Sequence, residues 1–152
     1  MTELFTDVID LPDHNAMVRF GREFASVLRS GDVVLLHGDL GAGKTTLTQG
    51  IAGGLGVTEA IQSPTFSLVA EHDGVDVEGR PMRLYHLDLY RLDDPEELEG
   101  IGYEQYVSPE DGVSVIEWPE RAGEWLPDSF WLLQISHGAG GGRVIERSRV
   151  SR

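Results

Sequence analysis

Cysteine is absent from the 152 residues, lysine occurs once, at Lys44, and asparagine once, at Asn15. Without cysteine there is neither a disulfide framework nor a thiolate metal site. The other eleven basic residues are arginines, and 26 acidic residues bring the net charge to −14. Such a surface repels the phosphate backbone of nucleic acids and argues against direct, tight binding of DNA or RNA by this chain alone. No apolar run approaches the length of a membrane span. The N-terminal Met1-Thr2-Glu3-Leu4-Phe5-Thr6-Asp7 lacks the basic and apolar regions of a secretory signal, so the expectation is a cytoplasmic protein with no membrane association. With 40% hydrophobic residues, the length predicts one globular domain over 1–152.

What is present gathers around the lone lysine. Gly38-Asp39-Leu40-Gly41-Ala42-Gly43-Lys44-Thr45 satisfies every fixed position of the phosphate-loop pattern GxxxxGK[ST]. Val33-Val34-Leu35-Leu36-His37 before it reads as a buried strand, and Thr45 to Leu55 has helical character, so the motif stands in the strand–turn–helix context its chemistry needs. Glycines let the backbone curl so that successive N–H groups face a phosphate chain at a helix N-terminus. Lys44 supplies a point charge for the β and γ phosphates, and the Thr45 hydroxyl suits Mg²⁺.

Along the rest of the chain, Met17, Phe20, Phe24, Val27 and Leu28 recur at the spacing of one helix face, predicting a helix from His14 to Leu28. Strands are expected over 82–89, 113–116 and 130–135, and Glu71 to Pro81 reads as a loop or hairpin connection. Asp93-Asp94-Pro95-Glu96-Glu97-Leu98 is a helix start, with cap residue, proline and first-turn carboxylates. The glycines 138–142 predict a hairpin loop into a closing strand over 143–150. The expected fold is α/β: a mostly parallel sheet flanked by helices, with antiparallel strands at the C-terminal end.

Phosphate-loop hydrolases need a carboxylate near Mg²⁺, and Glu117, delivered by Val113-Ser114-Val115-Ile116, is the first candidate. Asp88, on a strand with His86, is its competitor and is assigned to orienting the attacking water or a partner of the metal's outer shell. His86 and Asp88, two residues apart, make only a weak case for half a metal site, since no further ligand cluster accompanies them. Thr65, after Pro64, is a candidate sensor of the γ phosphate. Trp118 reads as packing rather than adenine stacking. GTPases read guanine with Asn-Lys-x-Asp; here Asn15 stands alone and Lys44 is committed, so ATP is favoured.

Four segments in this order and spacing resemble the TsaE (YjeE) family: residues 38–46, Ser63-Pro64-Thr65-Phe66, His86-Leu87-Asp88-Leu89-Tyr90-Arg91-Leu92 and Ile116-Glu117-Trp118-Pro119. The likeness covers about residues 4–135. It implies a P-loop NTPase fold and a small ATPase of tRNA threonylcarbamoyladenosine biosynthesis (position 37), acting with the TsaB and TsaD proteins and reaching tRNA only through them. It further implies nucleotide contacts by Gly38, Asp39, Gly41, Ala42, Gly43, Lys44, Thr45 and Thr46, Mg²⁺ ligands Thr45 and Glu117, and catalytic roles for Lys44, Asp88 and Thr65. Family members often carry threonine where Met17 stands. Two other classes share the loop: a small-molecule phosphotransferase, which needs an arginine-bearing lid, and a non-hydrolysing ATP-dependent binding module.

Overall fold

The computed structural model describes residues 2–39, 41–62 and 68–151. Thr65, with the rest of the Ser63-Pro64-Thr65-Phe66 segment, and Leu40 lie outside the described residues. The elements run β1 (Thr2–Leu11), α1 (His14–Phe24), β2 (Val33–His37), α2 (Lys44–Gly54), β3 (Val69–Val75), β4 (Pro81–Asp88), α3 (Glu104–Val107), β5 (Gly112–Glu117), β6 (Ser129–His137) and β7 (Arg143–Ser151). Three short 3₁₀ segments, Ala25–Val27, Pro95–Ile101 and Pro119–Ala122, complete the described elements.

The strands form one sheet in the order β1-β7-β6-β2-β5-β4-β3. Its centre is parallel, β6 with β2, β2 with β5 and β5 with β4. Both flanks are antiparallel, β3 on β4 at one edge, β7 on β6 and β1 on β7 at the other. The expectation of a mostly parallel sheet is thus corrected to a mixed one. Short connections account for β3 on β4 and β7 on β6: the turns at Asp76–Arg80 and Gly138–Gly142 can join only antiparallel neighbours, whereas parallel strands need a long crossover. Half of the expected 71–81 connection is strand β3, and β1 is an element the sequence pattern does not announce. Both lie at sheet edges, where a strand buries little; Val8 of β1 is 64% exposed.

Alternation along β2 sorts the core into two layers. Val34 and Leu36 face α1 and α2, joined by Leu84 of β4, Val113 and Val115 of β5 and Leu133 of β6. Val33 and Leu35 face the other way, with Leu87, Ile116 and Phe130, onto Leu98, Tyr103 and Tyr106 of the 95–107 segment. The first layer needs a close helix crossing: a Cβ on Gly50 would come within 2.5 Å of the Val18 carbonyl oxygen, and one on Gly21 within 2.8 Å of that of Leu47. Larger residues there would push α1 off α2.

Local chemistry sets the helix ends. The Asp13 carboxylate accepts from the Ala16 N–H at 2.8 Å and opens α1. The predicted run to Leu28 stops being α-helical at Phe24, and the tighter 3₁₀ turn over Ala25–Val27 rotates Val27 out to 48% exposure. Asp94 caps the next segment, accepting from Glu96 N–H at 3.0 Å while Glu97 accepts from Asp94 N–H. The predicted helix start is present, although the segment it opens, Pro95–Ile101, is 3₁₀ and is closed by Gly102 at φ 70°. Among the described residues no helix is long and apolar enough to cross a membrane.

Candidate functional site

Because β2, β5 and β4 are parallel neighbours, their carboxyl ends bring His37, Glu117 and Asp88 to one rim of the sheet, with Asp88 and Glu117 directly paired across the ladder. The chain leaves β2 at this rim and enters α2 through the turn at 38–43. Gly41 (φ 80°) and Gly43 (φ 108°) adopt left-handed backbone that a side chain would strain, and Gly43 is the N-cap of α2. The first-turn N–H groups of an 11-residue helix, with their partial positive charge, are left facing this rim. Gly41, Gly43, Lys44, Thr45, Thr46, Asp88, Tyr90, Glu117 and Trp118 line one cavity of about 350 Å³ there.

Lys44 is buried, 6% exposed, and its ammonium donates to the carbonyls of Gly38 and, at 3.1 Å, Asp39. It also sits 3.8 Å from the centre of the Trp118 ring. Burial lowers its pKa below the ordinary lysine value, opposed by the negative charges of Glu117, Glu120, Asp88 and Asp39. Trp118 is the one described non-glycine residue with positive φ, at 58°, and precedes Pro119. That conformation costs on the order of 1–2 kcal/mol. Its ring packs against Tyr90, centroids 4.9 Å apart.

The two carboxylates differ in setting. Glu117 is 2% exposed and pairs with the wholly buried His86, Oε2 to Nε2 2.5 Å. His86 Nδ1 is buried with no hydrogen-bond partner among the described residues. Asp88 accepts the Tyr90 N–H at 3.1 Å, and burial pushes its pKa above the ordinary carboxylate range, with nearby Glu117 adding to the rise. His86, a weak metal-ligand candidate from sequence, is the partner of Glu117 in the structure. Sequence reasoning missed Arg143, whose guanidinium reaches the turn at Gly41 and Ala42 across about a hundred residues of sequence, with no local pattern to announce it. Of the predicted residues, Lys44, Thr45, Thr46, Gly41, Gly43, Asp88 and Glu117 share the cavity; Gly38, Asp39 and Ala42 line a separate one beside His37, and Thr65 lies outside the described residues.

Residues 11–145 match the family model described as threonylcarbamoyl adenosine biosynthesis protein TsaE. The chain belongs to the TsaE family. Family relatives named tRNA threonylcarbamoyladenosine biosynthesis protein TsaE include those of Synechocystis sp., 51% identical over 73% of this chain and 69% of its own length, and Haemophilus influenzae, 42% identical over 84% and 80%. The crystal structure of YdiB from Bacillus subtilis superposes with a TM-score of 0.82 at 30% identity, over 99% of this chain and 89% of that one. The TsaE family role in threonylcarbamoyladenosine biosynthesis therefore applies to this chain, and its α/β fold is shared with YdiB.

Proposed function

We propose that this TsaE-family chain is a P-loop ATPase that hydrolyses Mg·ATP in the threonylcarbamoyladenosine modification of tRNA, supporting turnover of the TsaB and TsaD proteins. The observation that carries it is the convergence of Lys44, Thr45, Thr46, Asp88 and Glu117 on one cavity at the N-terminus of α2. The set fits the chemistry: main-chain N–H groups and an ammonium for polyphosphate, and hydroxyl and carboxylate oxygens, Thr45 and Glu117, for Mg²⁺. When bound, the ion supplies neutralisation of charge on the phosphate oxygens.

Lys44 exchanges two carbonyl partners for phosphate oxygens, a stronger charge-assisted bond. His86 holds Glu117 in one orientation. Asp88 orients the attacking water, whose oxygen bonds to the γ phosphorus as the bond to the β–γ bridging oxygen breaks, and takes the water's proton. Its raised pKa suits a proton acceptor better than that of a solvated aspartate. Thr65 is assigned to the γ phosphate on family resemblance. A net charge of −14 suits a cytoplasmic component that reaches tRNA through partners.

Phosphate release by the purified chain with Mg·ATP, alone and with TsaB and TsaD, tests the reading. Release that rises with the partners and vanishes in Lys44→Ala and Glu117→Ala is expected. Phosphate transferred to an acceptor would indicate a phosphotransferase, and ATP bound without release would indicate a binding module.

A further inference from the structure

We infer that Arg143 is a positioning residue for the phosphate-binding turn, a guanidinium strap tying the turn to the start of β7. Its Nε donates to the Ala42 carbonyl at 3.0 Å and Nη2 to that of Gly41 at 3.2 Å. On the other side Nη1 donates to Gly142 O at 3.1 Å and Gly141 O at 3.3 Å. All three nitrogens thus hold main-chain oxygens of two glycine-rich loops. A planar guanidinium, with five donors in fixed directions, can bridge such a set; an ammonium cannot.

The turn needs an external restraint. Among the described residues no atom outside its chain neighbours lies within 4 Å of where a Cβ on Gly41 would be, and both Gly41 and Gly43 have positive φ. With no described side chain against that position, the hydrogen bond from Arg143 to the Gly41 carbonyl is a direct restraint on its backbone. The Ala42 N–H is committed to the Asp39 carbonyl at 3.0 Å. The next peptide group joins Ala42 C=O to Gly43 N–H, trans and planar, so anchoring the carbonyl on Arg143 directs the Gly43 N–H the opposite way. The strap therefore sets the peptide orientation that a phosphate would otherwise have to impose, lowering the ordering cost of binding. Among the described residues Arg143 has no carboxylate within ion-pair distance, which leaves its charge uncompensated beside the turn.

The inference rests on the phosphate-binding reading of this turn, and its test separates the two. Arg143→Met and Arg143→Lys are compared with wild type and with Arg149→Met, a same-strand control whose guanidinium lies over Trp131. Amide hydrogen exchange over 38–46 in the nucleotide-free chain, Kd for Mg·ATP and kcat are read in each. Both Arg143 variants are expected to exchange faster in the turn and to weaken Mg·ATP roughly 10- to 100-fold, with kcat moving far less and Arg149→Met near wild type. Unchanged turn exchange, or an Arg143→Lys variant with wild-type exchange and affinity, overturns the strap. Should Arg143→Met not fold, Arg143→Lys decides. A wild-type chain that binds no Mg·ATP defeats the nucleotide reading, while the exchange data still decide whether Arg143 restrains the turn.

Discussion

Two histidine–carboxylate pairs in this molecule close to the same 2.5 Å yet sit in opposite surroundings. In His86–Glu117 both side chains are buried, at 0% and 3% exposure, at the rim where the parallel strands end; in His72–Glu59, on edge strand β3, the histidine is 10% exposed and the carboxylate 59%. Distance alone does not make a site. A solvated carboxylate costs nothing to keep charged, and its ion pair contributes little. A buried one carries a desolvation penalty that a single histidine does not fully offset, so it persists where something further engages it. Glu117 lines the cavity with Lys44 and Thr45, and Glu59 does not.

The largest effect that would break this contrast is on turnover. Glu117→Gln keeps the size and a hydrogen-bonding group for His86 but removes the charge, and phosphate release is expected to fall by about 100-fold or more. Its thermal midpoint should stay close to wild type; a retained rate would reduce Glu117 to a structural partner. His86→Ala is expected to cost about 3–5 kcal/mol in denaturant unfolding, since it opens a cavity and strands a buried carboxylate.

Tyr85–Asp111 sharpens the comparison as an intermediate case, a buried phenol donating to an exposed carboxylate at 2.6 Å. Burial first, and then the hydrogen bond to Asp111, push the phenol up to about 12. Because this exceeds the unfolded value of about 10, its stabilising contribution is complete below that pH and is lost as pH rises towards 12. Tyr85→Phe should cost about 1 kcal/mol at neutral pH and lack that alkaline loss. Absorbance titration together with unfolding curves would check it.

Asp88 shifts in the same direction with a different consequence. Its raised pKa means that the folded state holds the proton more tightly, so its contribution is present in acid and lost as pH rises from the ordinary carboxylate range through the raised value. Asp88→Asn should therefore be the more stable protein at neutral pH while losing turnover, and an equal pH slope in both would contradict the burial argument. The smallest effect is expected at the exposed pair: Glu59→Gln should remain within about 1 kcal/mol of wild type.

Legibility tracks burial. The central strands β2, β5 and β6 carry apolar runs, and β4 is marked by Met82, Leu84, Tyr85 and Leu87, all buried. The edge strands carry no such mark: β1 holds Asp7 and Asp10, and β3 holds Glu71 and Asp73, because an edge faces solvent and tolerates charge. The 95–101 segment is legible from its cap, but not as 3₁₀, since capping specifies where a turn starts and not how tightly it winds.

By itself, the sequence determined the turn and its immediate flanks. A strand, a glycine-rich bend and a lysine at the head of a helix are encoded within about twenty consecutive residues, where spacing and local conformational freedom suffice. Only the tertiary structure decided which distant groups complete the site. Parallel pairing of β4 with β5 sets Asp88 beside Glu117, and His86, thirty-one residues away, reaches that carboxylate. The returning β7 brings Arg143 to carbonyls a hundred residues earlier. Such contacts depend on strand order, which arises from how the apolar faces of distant segments pack together, whereas the alternation within one strand fixes only which of its residues face that core.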